Sequence, residues 1–175
     1  MLGNFNPIAN RSNMKSTEKL LTFTQVAVCS EVIHQLDLSS YTAIEPDAAV
    51  LLSKLKKYLN LSGIETLPDE VAEAFSSHKG ILDLSGLTDI SEPAAKALAK
   101  MDGGLWLNGL TSLSEQVANA LSHHDGDLYL RGITTLSDAA AEELSNHRRF
   151  LSLSGLKEVS EKGRKALAKH NGFGF

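Results

Sequence analysis

The chain has 175 residues, of which 42% are hydrophobic and 22% charged, so it is long enough for one domain with its own core and too apolar to be disordered throughout. Its net charge of −4 excludes a globally basic nucleic-acid-binding protein, and its single cysteine excludes an intramolecular disulfide framework. No stretch approaches the roughly 20 apolar residues that a membrane-spanning helix needs.

The N-terminal part precedes any regular pattern. Residues 1–15 are rich in Asn, Ser and Gly and predict a flexible tail. They lack a basic start followed by an apolar run, which argues against a secretory signal, so we expect a cytoplasmic protein, with export to a host cell by a route without a cleaved signal left open. Residues 16–35 predict an N-terminal helical cap, in which Thr22 and Gln25 have the spacing of a capping box and Cys29 falls in an apolar column.

A repeat of 23 residues occupies the rest of the chain. Two leucines separated by one residue recur six times without insertion or deletion, and they divide residues 36–173 into units 36–58, 59–81, 82–104, 105–127, 128–150 and 151–173. The spacing of two puts both leucines on one face of a short strand. Such a strand is stable only when it pairs with the same segment of neighbouring units, about 4.8 Å away.

The remainder of each unit predicts a turn and a helix. A glycine follows the strand in five of the six units, at a position that suits a tight bend or a close approach of two backbones. Four serines are followed by an acidic residue, the pattern of a helix N-cap: Ser91, Ser114, Ser137 and Ser160. The alanine-rich run after each serine favours a helix that packs closely against its neighbours.

These columns resemble the leucine-rich repeat family, and most closely bacterial repeats of the form LxLxGLxxLSxxAAxALAxHxG. The resemblance implies an α/β fold: a right-handed solenoid with a parallel sheet on one face, helices on the other, and an N-terminal helical cap. It also implies recognition of a partner rather than catalysis. The asparagine ladder typical of many members is absent, which leaves the curvature of the solenoid open.

The exposed face of the predicted sheet carries the candidate partner-binding residues. Small polar side chains dominate this face except in the fourth and fifth units, where six larger or charged residues cluster: Trp106, Asn108, Asp127, Tyr129, Arg131 and Phe150. Trp106 and Tyr129 should stand on neighbouring strands within stacking distance. Trp, Tyr and Arg are enriched at binding hot spots, which favours a docking site. The alternative is that the aromatic pair only stabilises the sheet, or that a flanking segment covers it.

A second column holds His78, His124, His147 and His170, so stacked units would place the last three in a ladder. Leu55 and Met101 at the same position favour a semi-buried structural role over metal binding. No catalytic pattern is present, neither a phosphate-binding loop, nor G-x-S-x-G, H-E-x-x-H or C-x-x-C, so we expect neither an enzyme nor a cofactor.

The charge is uneven along the chain, since residues 148–175 carry a net charge of +5 against −9 for residues 1–147. The basic end is best interpreted as a solvated cap, and we expect no nucleic-acid or membrane partner. The sequence therefore predicts a non-catalytic protein-interaction module. The alternatives are a structural unit that self-associates through its C-terminal strand, near Phe173, and a secreted bacterial effector that acts by binding a protein.

Overall fold

The computed structural model of the chain describes residues 19–28, 38–170 and 173–174. Here short parallel strands alternate with helices, which makes this an α/β protein. The predicted tail at 1–15, as well as Cys29, lies outside the described residues. The helices of the described part are α1 (Phe23–Val28), α2 (Pro46–Ser53), α3 (Asp69–Phe75), α4 (Glu92–Leu98), α5 (Glu115–Ser122), α6 (Asp138–Leu144) and α7 (Glu161–Leu167). The strands are β1 (Leu20–Leu21), β2 (Ala43–Ile44), β3 (Leu59–Asn60), β4 (Leu82–Asp83), β5 (Leu105–Trp106), β6 (Leu128–Tyr129), β7 (Thr135–Leu136), β8 (Leu151–Ser152), β9 (Glu158–Val159) and β10 (Phe173–Gly174).

The main sheet is parallel and follows the repeat. Its strands lie in the order β3, β4, β5, β6, β8 and β10. From β3 to β8 the leading leucines stand opposite one another, as the 23-residue spacing predicts. The last pair differs, because Phe173 lies opposite Leu151, whereas a 23-residue unit would put it opposite Phe150. The sixth unit is therefore one residue shorter, and the backbone of Phe173 takes the position of a leading leucine.

Two further parallel pairs were not predicted. β1 pairs with β2, and β7 pairs with β9. They include Ile44, Leu136 and Val159, one apolar column of the repeat. The sequence marks this column only as apolar, because two residues per unit carry too little pattern to predict a strand.

The helices begin where the serines predict. The hydroxyl oxygen of Ser91 accepts the backbone N–H of Ala94 at 3.0 Å, and Ser114, Ser137 and Ser160 cap α5, α6 and α7 in the same way. The Ser91 hydroxyl also donates to Asp69 Oδ1 in the first turn of α3, at 2.5 Å. Ser160 donates likewise to Asp138 in α6. Each of these two serines therefore caps its own helix and joins it to the preceding one.

The predicted capping box at the start of α1 is present. The backbone N–H of Thr22 donates to Gln25 Oε1 at 2.8 Å, and the N–H of Gln25 donates to Thr22 Oγ1 at 3.4 Å. The predicted cap covers residues 16–35, and the described part of it contains α1, Phe23–Val28. Residues 16–18 and 29–35 of this cap lie outside the described part.

The core lies between the main sheet and the helices. The leucines of the main sheet are buried, and so is the alanine column of the helices that runs from Ala49 to Ala141. The glycine after each strand is explained by close packing of backbones: a Cβ on Gly109 would lie 2.3 Å from the carbonyl oxygen of Ser85 and 2.4 Å from that of Leu87. Since no side chain fits at these distances, the glycine sets how closely successive units approach.

Candidate functional site

On the main sheet, the positions before, between and after the two leucines of each unit form three rows of side chains. These rows point away from the helices, because alternate residues of a strand face the same side. The structure brings Trp106 and Tyr129 together at the centre of this face. Their ring centroids are 5.3 Å apart and their planes are inclined by 57°. This is the tilted contact expected of an aromatic pair on neighbouring strands, so the predicted adjacency is confirmed.

The aromatic contact continues on both sides of the central pair. Phe150 lies 5.4 Å from Tyr129, and Tyr58 lies 5.7 Å from Trp106. We call these four residues the aromatic row. Its ends are the most accessible parts, since Tyr58 is 49% exposed and Phe150 is 39% exposed. Tyr58 was not among the predicted site residues, although it shares a repeat column with Phe150.

Arg131 extends the row with a positive charge. Its guanidinium carbon lies 5.1 Å from the centroid of the Tyr129 ring, within the range of a cation–π contact. Asn108 has a different role from the one its column suggested. Its Nδ2 donates to Ser85 Oγ at 3.1 Å, and its Oδ1 accepts the backbone N–H of Arg131 at 3.1 Å. Asn108 therefore links three strands and orients the backbone that carries Arg131.

Asp127 is exposed, and among the described contacts none joins its carboxylate to the aromatic row. Its charge acts instead on the nearby buried His124. Of the six predicted residues, the structure thus gathers Trp106, Tyr129, Arg131 and Phe150 into one patch. It uses Asn108 to bond the backbone of Arg131 and leaves Asp127 outside the patch.

A buried carboxylate supports one end of the row, and the sequence did not reveal it. Asp83 is 7% exposed. Its Oδ2 accepts the hydroxyl of Tyr58 at 3.0 Å, and its Oδ1 accepts the backbone N–H of Ser85 at 3.0 Å. Partial burial raises the pKa of Tyr58, and the hydrogen bond to Asp83 and the negative charge of that carboxylate raise it further. The Tyr58 ring is therefore held in place by its hydroxyl.

Trp106 carries the least satisfied polar atom of the patch. Its Nε1 is buried and has no hydrogen-bond partner in the part of the chain that the structure describes. A buried donor without an acceptor costs on the order of 1–3 kcal/mol. The packing of the indole between Tyr58 and Tyr129 offsets that cost, which indicates that the aromatic row holds a fixed arrangement.

The histidine column forms the predicted ladder on the other side of the leucine layer. His124 and His147 stack with centroids 6.4 Å apart, and His147 and His170 with centroids 5.9 Å apart, their planes within 10° of parallel. Parallel rings in separate planes direct their nitrogen lone pairs side by side. They do not converge on one point at the 2.0–2.1 Å that a zinc ion requires. The geometry therefore fits structural packing rather than a shared metal ion.

An open groove of about 570 Å³ lies between the C-terminal ends of α4 and α5. Its charged lining includes Lys96 and Lys100, which pair with Glu92 at 2.5 Å and with Glu73 at 3.2 Å. Both cations pair with neighbouring carboxylates, and the lining also includes Asp102 and Asp125, so this groove has no excess of positive charge that would favour an anion.

Comparison with known proteins adds no assignment: no protein-family model matches the chain, and no curated protein is significantly similar to it. Among the described residues no helix has the length and apolar character required to cross a lipid bilayer.

Proposed function

We propose that the chain is a leucine-rich-repeat solenoid that acts as a non-catalytic protein-interaction module and binds a partner protein on the exposed face of its main sheet. One observation carries the proposal: the aromatic row and Arg131 form a single patch on a face whose other side chains, apart from Ile81, are mostly small or polar. Interface hot spots are rich in Trp, Tyr and Arg and tend to cluster in this way.

The patch is also preorganised by hydrogen bonds within the chain. Hydrogen bonds through Asp83 and Asn108 fix the side chain of Tyr58 and the backbone of Arg131 before any partner arrives. A rigid surface loses little conformational entropy on association, so a larger share of the contact energy appears as affinity. No catalytic group or cofactor is needed for this role.

The proposal can be tested by capture from lysate of the source organism with wild-type protein, with Arg131→Glu and with Trp106→Ala. Lys162→Glu, an exposed residue of α7, is the matched charge-reversal control. A protein held by wild type and by the control, and lost with both sheet-face variants, supports the proposal once circular dichroism shows that all variants fold.

The captured protein is then purified and titrated into the chain. Trp106 is the sole tryptophan, so its fluorescence reports directly on the sheet face. Binding that leaves this fluorescence unchanged and is equal in all variants contradicts the proposal. A mass that grows with concentration in the absence of a partner favours the alternative, self-association through the edge strand β10.

A further inference from the structure

The histidine column continues through most of the described units with one interruption. His78, His124, His147 and His170 are all buried, and Met101 fills the same position between the first two. Met101 therefore isolates His78 from the other three, which stack on one another. We call His124, His147 and His170 the histidine ladder.

Hydrogen bonding differs between His78, His124 and His147. His78 has its Nδ1 3.3 Å from the carbonyl oxygen of Ser53 and its Nε2 3.1 Å from that of Lys57, so both nitrogens contact the preceding unit. His124 Nε2 lies 2.9 Å from the carbonyl oxygen of Gly103. In His147 both nitrogens are buried, and neither makes a well-formed hydrogen bond.

Burial disfavours the protonated form of all three ladder histidines. Burial lowers the pKa of His124, although nearby carbonyl groups and the charges of Asp125 and Asp127 act in the opposite direction. Burial also lowers the pKa of His147, and repulsion from His124 and His170 lowers it further, against the carbonyls of Ser122 and Phe150. Burial lowers the pKa of His170, against the carbonyls of Arg149 and His147. The basic side chains on the flanking segments are exposed: Arg148, Arg149 and Lys169.

The direction of the pH effect follows from these shifts. An unfolded or opened histidine binds a proton at about its ordinary pKa of 6.5, whereas a ladder histidine binds one only at lower pH. Between these two values the opened state holds more protons than the closed state, so the closed state loses stability as the pH falls. Above about pH 6.5 the ladder is neutral and its packing contributes fully.

We propose that the histidine ladder is an acid-sensitive latch, which holds the C-terminal units together at neutral pH and lets them open when its stacked imidazoles take up protons. The latch acts on the units that follow Met101, because that residue breaks the column. The inference concerns the free chain and does not depend on the sheet-face function.

Hydrogen exchange of the full chain, measured by mass spectrometry at about pH 7.5 and about pH 5 and corrected for the intrinsic pH dependence of exchange, tests the latch. We expect protection in α6 and α7 to fall at least about tenfold, with α3 changing much less. An equal fall in all helices, or no fall in α6 and α7, overturns the proposal.

The second test uses methionine, the residue that already occupies this column at Met101. His147→Met copies Met101 and should remove most of the pH-dependent loss of protection, whereas His123→Gln, an exposed neighbour outside the ladder, should keep it. Should the variant fail to fold, the wild-type protein decides by NMR titration of its histidine ring protons. A His147 that titrates at or above the ordinary value of about 6.5 overturns the latch, as does His147→Met with undiminished pH dependence.

Discussion

Replacing Gly109 by alanine tests whether backbone contact between units sets the spacing of the repeat. A Cβ at this position would lie 2.3 Å from the carbonyl oxygen of Ser85 and 2.4 Å from that of Leu87. Ordinary contacts of a Cβ begin near 3.4 Å, so both oxygens would have to move by about 1 Å. Neither can move alone, because both belong to the backbone of the preceding unit.

The expected cost follows from these distances. Overpacking a close-packed interior costs about 1–3 kcal/mol, and two backbone clashes place Gly109→Ala at the upper end of that range. Alanine also restricts the unfolded chain, which returns about 0.4–1 kcal/mol. We therefore expect a net loss of about 2–3 kcal/mol in the free energy of unfolding.

Gly104→Ala is the matched control five residues away. Its Cβ would meet nothing closer than Cγ1 of Ile81, at 3.4 Å, which is ordinary contact. This variant should change stability by less than about 1 kcal/mol in either direction. Urea unfolding followed by circular dichroism and by Trp106 fluorescence measures both variants. A loss below about 1 kcal/mol for Gly109→Ala, or equal losses for the two, would refute the close-contact explanation.

Three further substitutions test other parts of the structure by the same unfolding assay. Tyr58→Phe removes a donor from the buried carboxylate of Asp83 and should cost about 1–2 kcal/mol; no loss would show that the carboxylate is satisfied without it. Ser91→Ala removes both the cap of the Ala94 N–H and the hydrogen bond to Asp69 and should cost about 1–2 kcal/mol, so an unchanged free energy of unfolding would contradict this. Leu121→Ala empties a fully buried site and should cost about 2–5 kcal/mol, so a neutral result would place Leu121 outside the core.

The constant repeat length explains why much of the structure could be predicted. When every unit has 23 residues, a column in the sequence becomes a row in space, so the contact between Trp106 and Tyr129 follows from strand pairing alone. The stacking of His124 on His147 follows in the same way. The serine caps were predictable for another reason, because a cap depends on only four consecutive residues.

The missed features depend on side-chain reach and on local departures from the period. Tyr58 joins the aromatic row from two strands away, since its long side chain extends to Asp83 and to Trp106. A column pattern contains no information about such diagonal contacts. The register of Phe173 was wrong because the sixth unit is one residue shorter, a change that the letters of a terminal unit do not reveal.

The unusual state of His147 is explained by a different column of the repeat. A Cβ on Gly126 would lie 1.7 Å from the carbonyl oxygen of Gly103 and 2.7 Å from Nε2 of His124, so only glycine allows the approach in which that ring nitrogen reaches the carbonyl. In the next unit the glycine position is occupied by Arg149, whose Cβ prevents an equally close approach to the carbonyl of Gly126. His147 accordingly lacks the hydrogen bond that His124 makes. His147 also lies at the centre of the ladder, where burial and repulsion from both His124 and His170 oppose its charge.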